Sequence, residues 1–180
     1  MIIDFLFSIF GKNTIYIKFS SDLIHIRYAE KDRIIEEKPV IAISKIKNRY
    51  KVVAVGKDSV RTQASPKVQV YNVFKHPRAF LPNFEFAEVT LRYFIYKIVH
   101  RKMLVRPIIV LHPTEKLDGG ITQIEFKSLV ELGTSIGGRK VFIWKGHTLT
   151  NRELLDPSFL EKNCLESPDI PLNSNITRHK

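Results

Sequence analysis

Val105-Arg106-Pro107-Ile108-Ile109-Val110-Leu111-His112-Pro113 and Val141-Phe142-Ile143-Trp144 are two short apolar runs separated by a periodic segment. Runs apolar on both faces read as buried strands, because a strand with one wet face alternates instead. The first is expected over Val105–Leu111, closed by His112-Pro113. Between the runs, Asp118-Gly119-Gly120 is a turn. Thr122 and Gln123 then open a segment in which Ile121, Ile124, Leu129, Leu132 and Ile136 recur near helical spacing. Gly137-Gly138 stops it, as glycine past a helix end does. Arg139-Lys140 leads into the second strand. Two buried strands joined by one helix predict a crossover unit with parallel pairing.

Upstream, Thr14–Phe19 and Asp22–Tyr28 alternate and predict two strands joined by a turn at Ser20-Ser21. Arg33-Ile34-Ile35 opens a third, interrupted at Pro39 and resuming over Val40–Ile43. Lys51–Gly56 is a fourth, and Val68–Phe74 one more. Strands linked by tight turns predict an antiparallel meander. Residues 57–67 are polar and read as loop. Asn83 is a helix cap for a segment reaching about His100, with an apolar stripe from Phe86, Val89, Leu91, Phe94, Ile95 and Ile98. Thr150 can cap a short helix through Leu155. The chain divides into an apolar segment 1–12, one lobe 13–155, and a mostly irregular tail 156–180. Its order places it in the α/β class. A mixed sheet with an antiparallel meander and βαβ units flanked by helices is the pattern of the ribonuclease H-like fold. Ile109, Val110, Val141, Phe142 and Ile143 are the expected core, with Phe94 and Ile98 packed over them.

Lys and Arg number 29 against 18 Asp and Glu, a formal net charge of +11. That excess favours an anionic partner: nucleic acid, anionic lipid or an acidic protein. Because the basic residues are spread along the chain, a dedicated nucleic-acid surface is the weaker of these. One cysteine, Cys164, excludes an internal disulfide and fits a reducing compartment, hence the cytoplasm. The six histidines have no metal-ligand spacing with Cys164. A two-metal nuclease needs acids on the central strands; the strands offer Lys18, His25 and Arg27 there. No metal site and no catalytic residue is assigned, and His147 in its loop is a poor candidate base. In residues 1–12, Ile2, Ile3, Phe5, Leu6, Phe7, Ile9 and Phe10 are apolar while Asp4 and Ser8 lie four apart. The segment is too short to span a bilayer. It reads either as a first core element or as an interfacial helix on anionic membrane.

Several stretches together resemble the first part of MreB, the bacterial actin-like family that shapes rod cells. They are Pro39-Val40-Ile41-Ala42-Ile43, Val52-Val53-Ala54-Val55-Gly56-Lys57-Asp58, Arg106-Pro107, and Leu132-Gly133-Thr134-Ser135-Ile136-Gly137-Gly138-Arg139-Lys140-Val141-Phe142-Ile143. The resemblance runs from about Ile17 to Leu155 and implies an actin-like ATPase lobe. Many family members carry a membrane-binding helix where residues 1–12 stand.

The family's phosphate hairpin, Asp-Leu-Gly-Thr, aligns with Lys18-Phe19-Ser20-Ser21-Asp22. Lysine replaces the acid that organises the metal, and no glycine lets backbone approach phosphate. Lys18, Ser20, Ser21 and Asp22 thus form a degenerate phosphate hairpin. Lys145-Gly146-His147 replaces the family's acids after the last strand, and the chain ends before its second phosphate loop. The resemblance therefore implies no cofactor and no ATPase activity. The expected function is a non-catalytic MreB-like protein of the cell-shape cytoskeleton. It would bind an actin-like filament protein, itself, or an anionic membrane, peripheral on the inner face of the cell membrane. The alternatives are a ribonuclease H-like module binding nucleic acid through a basic surface, or a truncated remnant without function.

Overall fold

The structure is a computed structural model that describes residues 13–46, 49–62, 66–79, 81–99, 105–115 and 117–166. The apolar residues Ile2 to Phe10 lie outside them. Five strands form the main sheet: β1 (Thr14–Phe19), β2 (Ile24–Tyr28), β3 (Arg33–Glu37), β7 (Ile108–Pro113) and β8 (Lys140–Ile143), in the order β3-β2-β1-β7-β8. Strands β1, β2 and β3 pair antiparallel, while β7 pairs parallel with both β1 and β8. A second sheet contains β4 (Val40–Ile46), β5 (Arg49–Val55) and β6 (Val68–Asn72), in the order β5-β4-β6. The helices are α1 (Lys57–Arg61), α2 (Phe84–Val99), α3 (Gln123–Ser135), α4 (Asn151–Leu154) and α5 (Pro157–Asn163).

The crossover unit forms as its sequence predicts, but its strands are shifted: the first starts at Ile108 and runs on through His112-Pro113, which does not close it, and the second spans Lys140–Ile143. Thr122 closes a capping box with Glu125 at the start of α3, satisfying two amides that the helix cannot. Gly137 (φ 110°) ends it. Gly133 allows close packing on β8: a Cβ there would lie 2.5 Å from Val141 Cγ1. The Arg106 guanidinium then donates to the carbonyls of Gly137 (3.1 Å) and Gly138 (2.8 Å), serving acceptors left over at the helix end. Asn83 caps α2 through the Phe86 amide at 2.8 Å.

Four further expectations change. The interrupted third strand is two strands in two sheets, so the meander splits after β3. Pro39 has no N–H to offer a ladder, and the Val40 amide donates back to Lys38 O at 2.8 Å, turning the chain out of the main sheet. Residues 57–67 are not all loop. Gly56, at φ 73°, reverses the chain so that Lys57–Arg61 forms a helical turn with Ser59 buried. The irregular tail begins later than residue 156. Asp156 caps α5 through the amides of Ser158 and Phe159, Pro157 occupies the first turn where its missing N–H is harmless, and Leu160 is buried. Leu165 then bridges to Ile143; residues 167–180 lie outside the described ones.

The fourth concerns the core, which lies on both faces of the main sheet. Ile15, Ile17, Ile109, Leu111 and Ile143 pack with Phe94 and Ile98 under α2 and α3. Tyr16, Val110, Phe142 and Trp144 pack on the opposite face with Leu154 and Leu160. Strand alternation divides the expected core between the two faces, so Phe94 and Ile98 cover only half of it. Val141 is only half-buried.

Candidate functional site

The site the sequence singles out lies at the ends of the central strands. Register places Glu36, His25, Lys18 and His112 side by side on one face of β3, β2, β1 and β7. A cleft of about 220 Å³ opens beside this row, lined by Lys18, Phe19, Ser20, Leu23, His25, Glu36, Thr114 and Thr148. The Lys18 ammonium donates to Thr148 Oγ1 at 2.8 Å. His25 Nδ1 lies 3.1 Å from Glu36 Oε1, while its Nε2 is buried without a hydrogen-bond partner among the described residues.

The turn joining β1 to β2 uses its own amides. Ser20 N–H donates to Leu23 O at 2.9 Å. The N–H groups of Asp22 and Leu23 both donate to Ser20 Oγ at 3.1 Å. Ser21 N–H donates to Glu115 Oε2 at 2.9 Å, and Ser21 Oγ to Glu115 Oε1 at 3.1 Å. Thus all four amides from Ser20 to Leu23 have acceptors within the chain. The Glu115 carboxylate sits where an external anion would otherwise meet the turn. From the second sheet, Asn72 Nδ2 donates to Ser21 O at 2.7 Å and fixes the turn from the other side. Asp22, the last of the predicted residues, is exposed.

The loop after β8 is drawn onto the same row. Tyr16 Oη and His112 Nδ1 are 2.5 Å apart in the core. His112 also hydrogen-bonds the Gly146 backbone, and Tyr16 that of Leu149. Trp144 Nε1 donates to His147 O at 2.7 Å. Burial pulls His112 down to about 4, helped by the positive charge of Lys18. Burial pushes Tyr16 up to about 12. Both are therefore neutral near pH 7. His147 Nε2 lies 2.9 Å from Glu153 Oε1. Glu153 is held down to about 2 by the Thr150 amide and hydroxyl and by His147, in the capping box that starts α4. His147 thus serves a helix start.

The donor set does not fit a Mg²⁺-nucleotide. Magnesium asks for oxygen ligands and carboxylate charge, whereas the central strand presents an ammonium. The one carboxylate on the cleft wall, Glu36, is engaged with His25. Among the described residues, no three His, Cys, Asp or Glu side chains group so as to hold a metal.

Sequence reasoning located Lys18, Ser20 and Ser21 in the cleft region. It missed Glu115, Thr148 and the Tyr16–His112 pair. Tyr16 and His112 were legible in principle, as polar residues inside otherwise apolar strands. Nothing local marks Glu115 or Thr148.

Comparison with known proteins gives this architecture a place. The sequence profile of the MreB/Mbl protein family matches residues 13–150. Among solved structures, MreB5 of Spiroplasma citri bound to AMPPNP superposes with a TM-score of 0.61 at 14% identity, covering 75% of this chain and 39% of that one. Its ADP-bound structure gives 0.59 at 14% identity, covering 75% and 38%. A MamK double helical filament gives 0.54 at 10% identity, covering 73% and 40%. These likenesses show the actin-like fold, and the chain spans about two fifths of those structures' length. No curated protein matches in sequence. With the family profile covering most of the lobe, the chain belongs to the MreB/Mbl family of actin-like cytoskeletal proteins.

Proposed function

We propose that this chain is a non-catalytic member of its family, acting by binding and without nucleotide turnover. The observation that supports this most is the state of the β1–β2 turn. Its four amides are spent on Leu23 O, Ser20 Oγ and Glu115, and a lysine stands beside it in place of a metal-organising acid. A nucleotide phosphate would have to displace Glu115 and take over one amide and one hydroxyl of Ser21 already bonded to a carboxylate. The binding partner we favour is an actin-like filament protein or further copies of the chain, since relatives include a filament-forming MamK. The apolar residues Ile2, Ile3, Phe5, Leu6, Phe7, Ile9 and Phe10 would add attachment to anionic membrane on the cytoplasmic side. Each such side chain can contribute about 1.5–3 kcal/mol when buried, before ordering costs.

Calorimetry with Mg²⁺-ATP tests the central point. No measurable heat and no shift of the thermal midpoint are expected, since a ligand that binds only the folded state must raise it. Micromolar affinity would overturn the reading. Sedimentation with anionic vesicles, comparing the whole chain with one starting at Lys12, tests the membrane part. Loss of binding on truncation is expected, and equal binding by both would exclude it.

A further inference from the structure

The second sheet carries a surface unlike the rest of the molecule. Its three strands contain no aspartate or glutamate, yet they hold Lys45, Arg49 and Lys51, with Lys67 immediately before β6. None of these four has an ion-pair partner among the described residues. Strand β5 lies at the edge of the sheet, and Arg49, Tyr50, Lys51, Val52 and Val53 are exposed in succession. Side chains on both its faces meet water, and no strand pairs with its outer edge among the described residues. Tyr50 is 68% exposed and Ile46, opposite Arg49, 57%. At the same end, a cleft of about 210 Å³ is lined by Ile43, Lys45, Tyr50, Pro66, Lys67 and Gln69. Lys45 Nζ lies 5.7 Å from the centre of the Tyr50 ring, so the cation stands over an aromatic face.

We propose that the outer edge of β5 is a docking site for an acidic segment of another protein, bound in extended conformation as an added strand. An unpaired edge offers a row of backbone donors and acceptors that an extended peptide satisfies and a folded surface does not. On β5 itself, Tyr50 and Val52 offer apolar contact on one face, while Arg49 and Lys51 on the other select carboxylates. The ligand this surface fits therefore alternates acidic and apolar residues, following the two-residue period of a strand. A second copy of this sheet brings the same positive charge and is repelled, as edge lysines commonly ensure. A nucleic acid satisfies the charge, but it leaves the strand's backbone groups and apolar side chains unmatched.

The test uses the full chain and a labelled short peptide alternating Glu and Val, followed by fluorescence anisotropy and by hydrogen exchange. Saturable binding with slowed exchange confined to the β5 amides is expected. The Arg49→Glu, Lys51→Glu double variant should weaken binding roughly tenfold while leaving the unfolding midpoint unchanged, since both side chains are solvent-facing. A peptide N-methylated at alternate residues keeps the charge but cannot complete the ladder, and it should bind far more weakly. Equal binding of the methylated peptide, slowed exchange elsewhere than β5, or no binding would overturn the proposal. So would an oligothymidylate of equal charge that displaces the peptide and protects the same amides.

Discussion

Tyr16 and His112 meet inside the sheet, one on β1 and one on the neighbouring β7, and together they hold the loop after β8. Two polar groups at that depth are tolerated because each has partners, and removing one leaves the other costly. The consequence reaches the pH dependence of stability. An unfolded chain binds a proton on this histidine near 6.5, whereas the folded chain resists until about 4. Between those values the unfolded state holds more protons, so stability falls as pH drops through the window. The loss totals on the order of 3 kcal/mol for a shift of this size. Urea unfolding at a series of pH values should show this slope, and His112→Asn should flatten it. Persistence of the full slope in the variant would place the titration elsewhere. Lys18, two residues along β1 from Tyr16 and beside His112 in register, is held by Thr148 across the row. The lysine was visible in the sequence as a charge where an acid belongs. Its partner was not, because a threonine in a loop carries no pattern.

At the scale of elements, α3 and β8 touch through Gly133 and Val141, and small residues set their separation. Alanine in place of glycine ordinarily improves a helix by about 1 kcal/mol. Here the added methyl would sit 2.5 Å and 2.8 Å from the two Val141 methyl groups. Overpacking of that kind costs roughly 1–3 kcal/mol and outweighs the propensity gain. Gly133→Ala should therefore lower the unfolding midpoint, and adding Val141→Ala to it should recover most of the loss. Absence of rescue would show that the helix does not rest on this strand through that contact. The crossover unit was legible because its signals are local and agree: continuous apolar runs, a Thr-x-x-Glu start, a glycine stop. Elements defined by contest were not. Pro39 reads equally as an interruption or as a boundary, and only the pairing of β4 with β6 decides. Asp156-Pro157 reads as the start of irregular chain in sequence yet opens a helix in the fold, the same two residues serving both meanings. The β1–β2 turn was legible as a position, but its contact with Glu115 was not, since Glu115 is distant in sequence from the turn.

For the whole molecule, Glu37 is the place where the two sheets are tied. Its Oε1 accepts from Lys97 Nζ of α2 at 2.7 Å, and Oε2 accepts from the Lys57 amide that opens α1 at 3.1 Å. A Cβ on Gly56 would lie 2.7 Å from that carboxylate. Burial alone would raise Glu37, but the Lys97 and Lys57 bonds outweigh it and hold the carboxyl below its ordinary value. Such a group stabilises the fold above its unfolded pKa, and the contribution fades as pH falls through the folded one. Lys97→Met should cost about 1 kcal/mol at neutral pH, discounted for the partly exposed lysine, and nothing once Glu37 is protonated. Equilibrium unfolding at pH 7 and at a series of pH values descending below the ordinary carboxylate range follows that decline, and a cost that never falls would assign the effect to packing. A last consequence follows from the central place of β1, whose neighbours are β2 on one side and β7 on the other. During synthesis the β1–β2–β3 hairpins leave the ribosome early. The strand that must lie along their remaining edge is made only after the whole second sheet and α2. For that interval a nascent chain carries a strongly apolar strand paired on one side and open on the other. Pairing across such a distance is slow and prone to capture by other chains. Shielding of that edge by holding chaperones during synthesis should therefore raise the yield of folded chain.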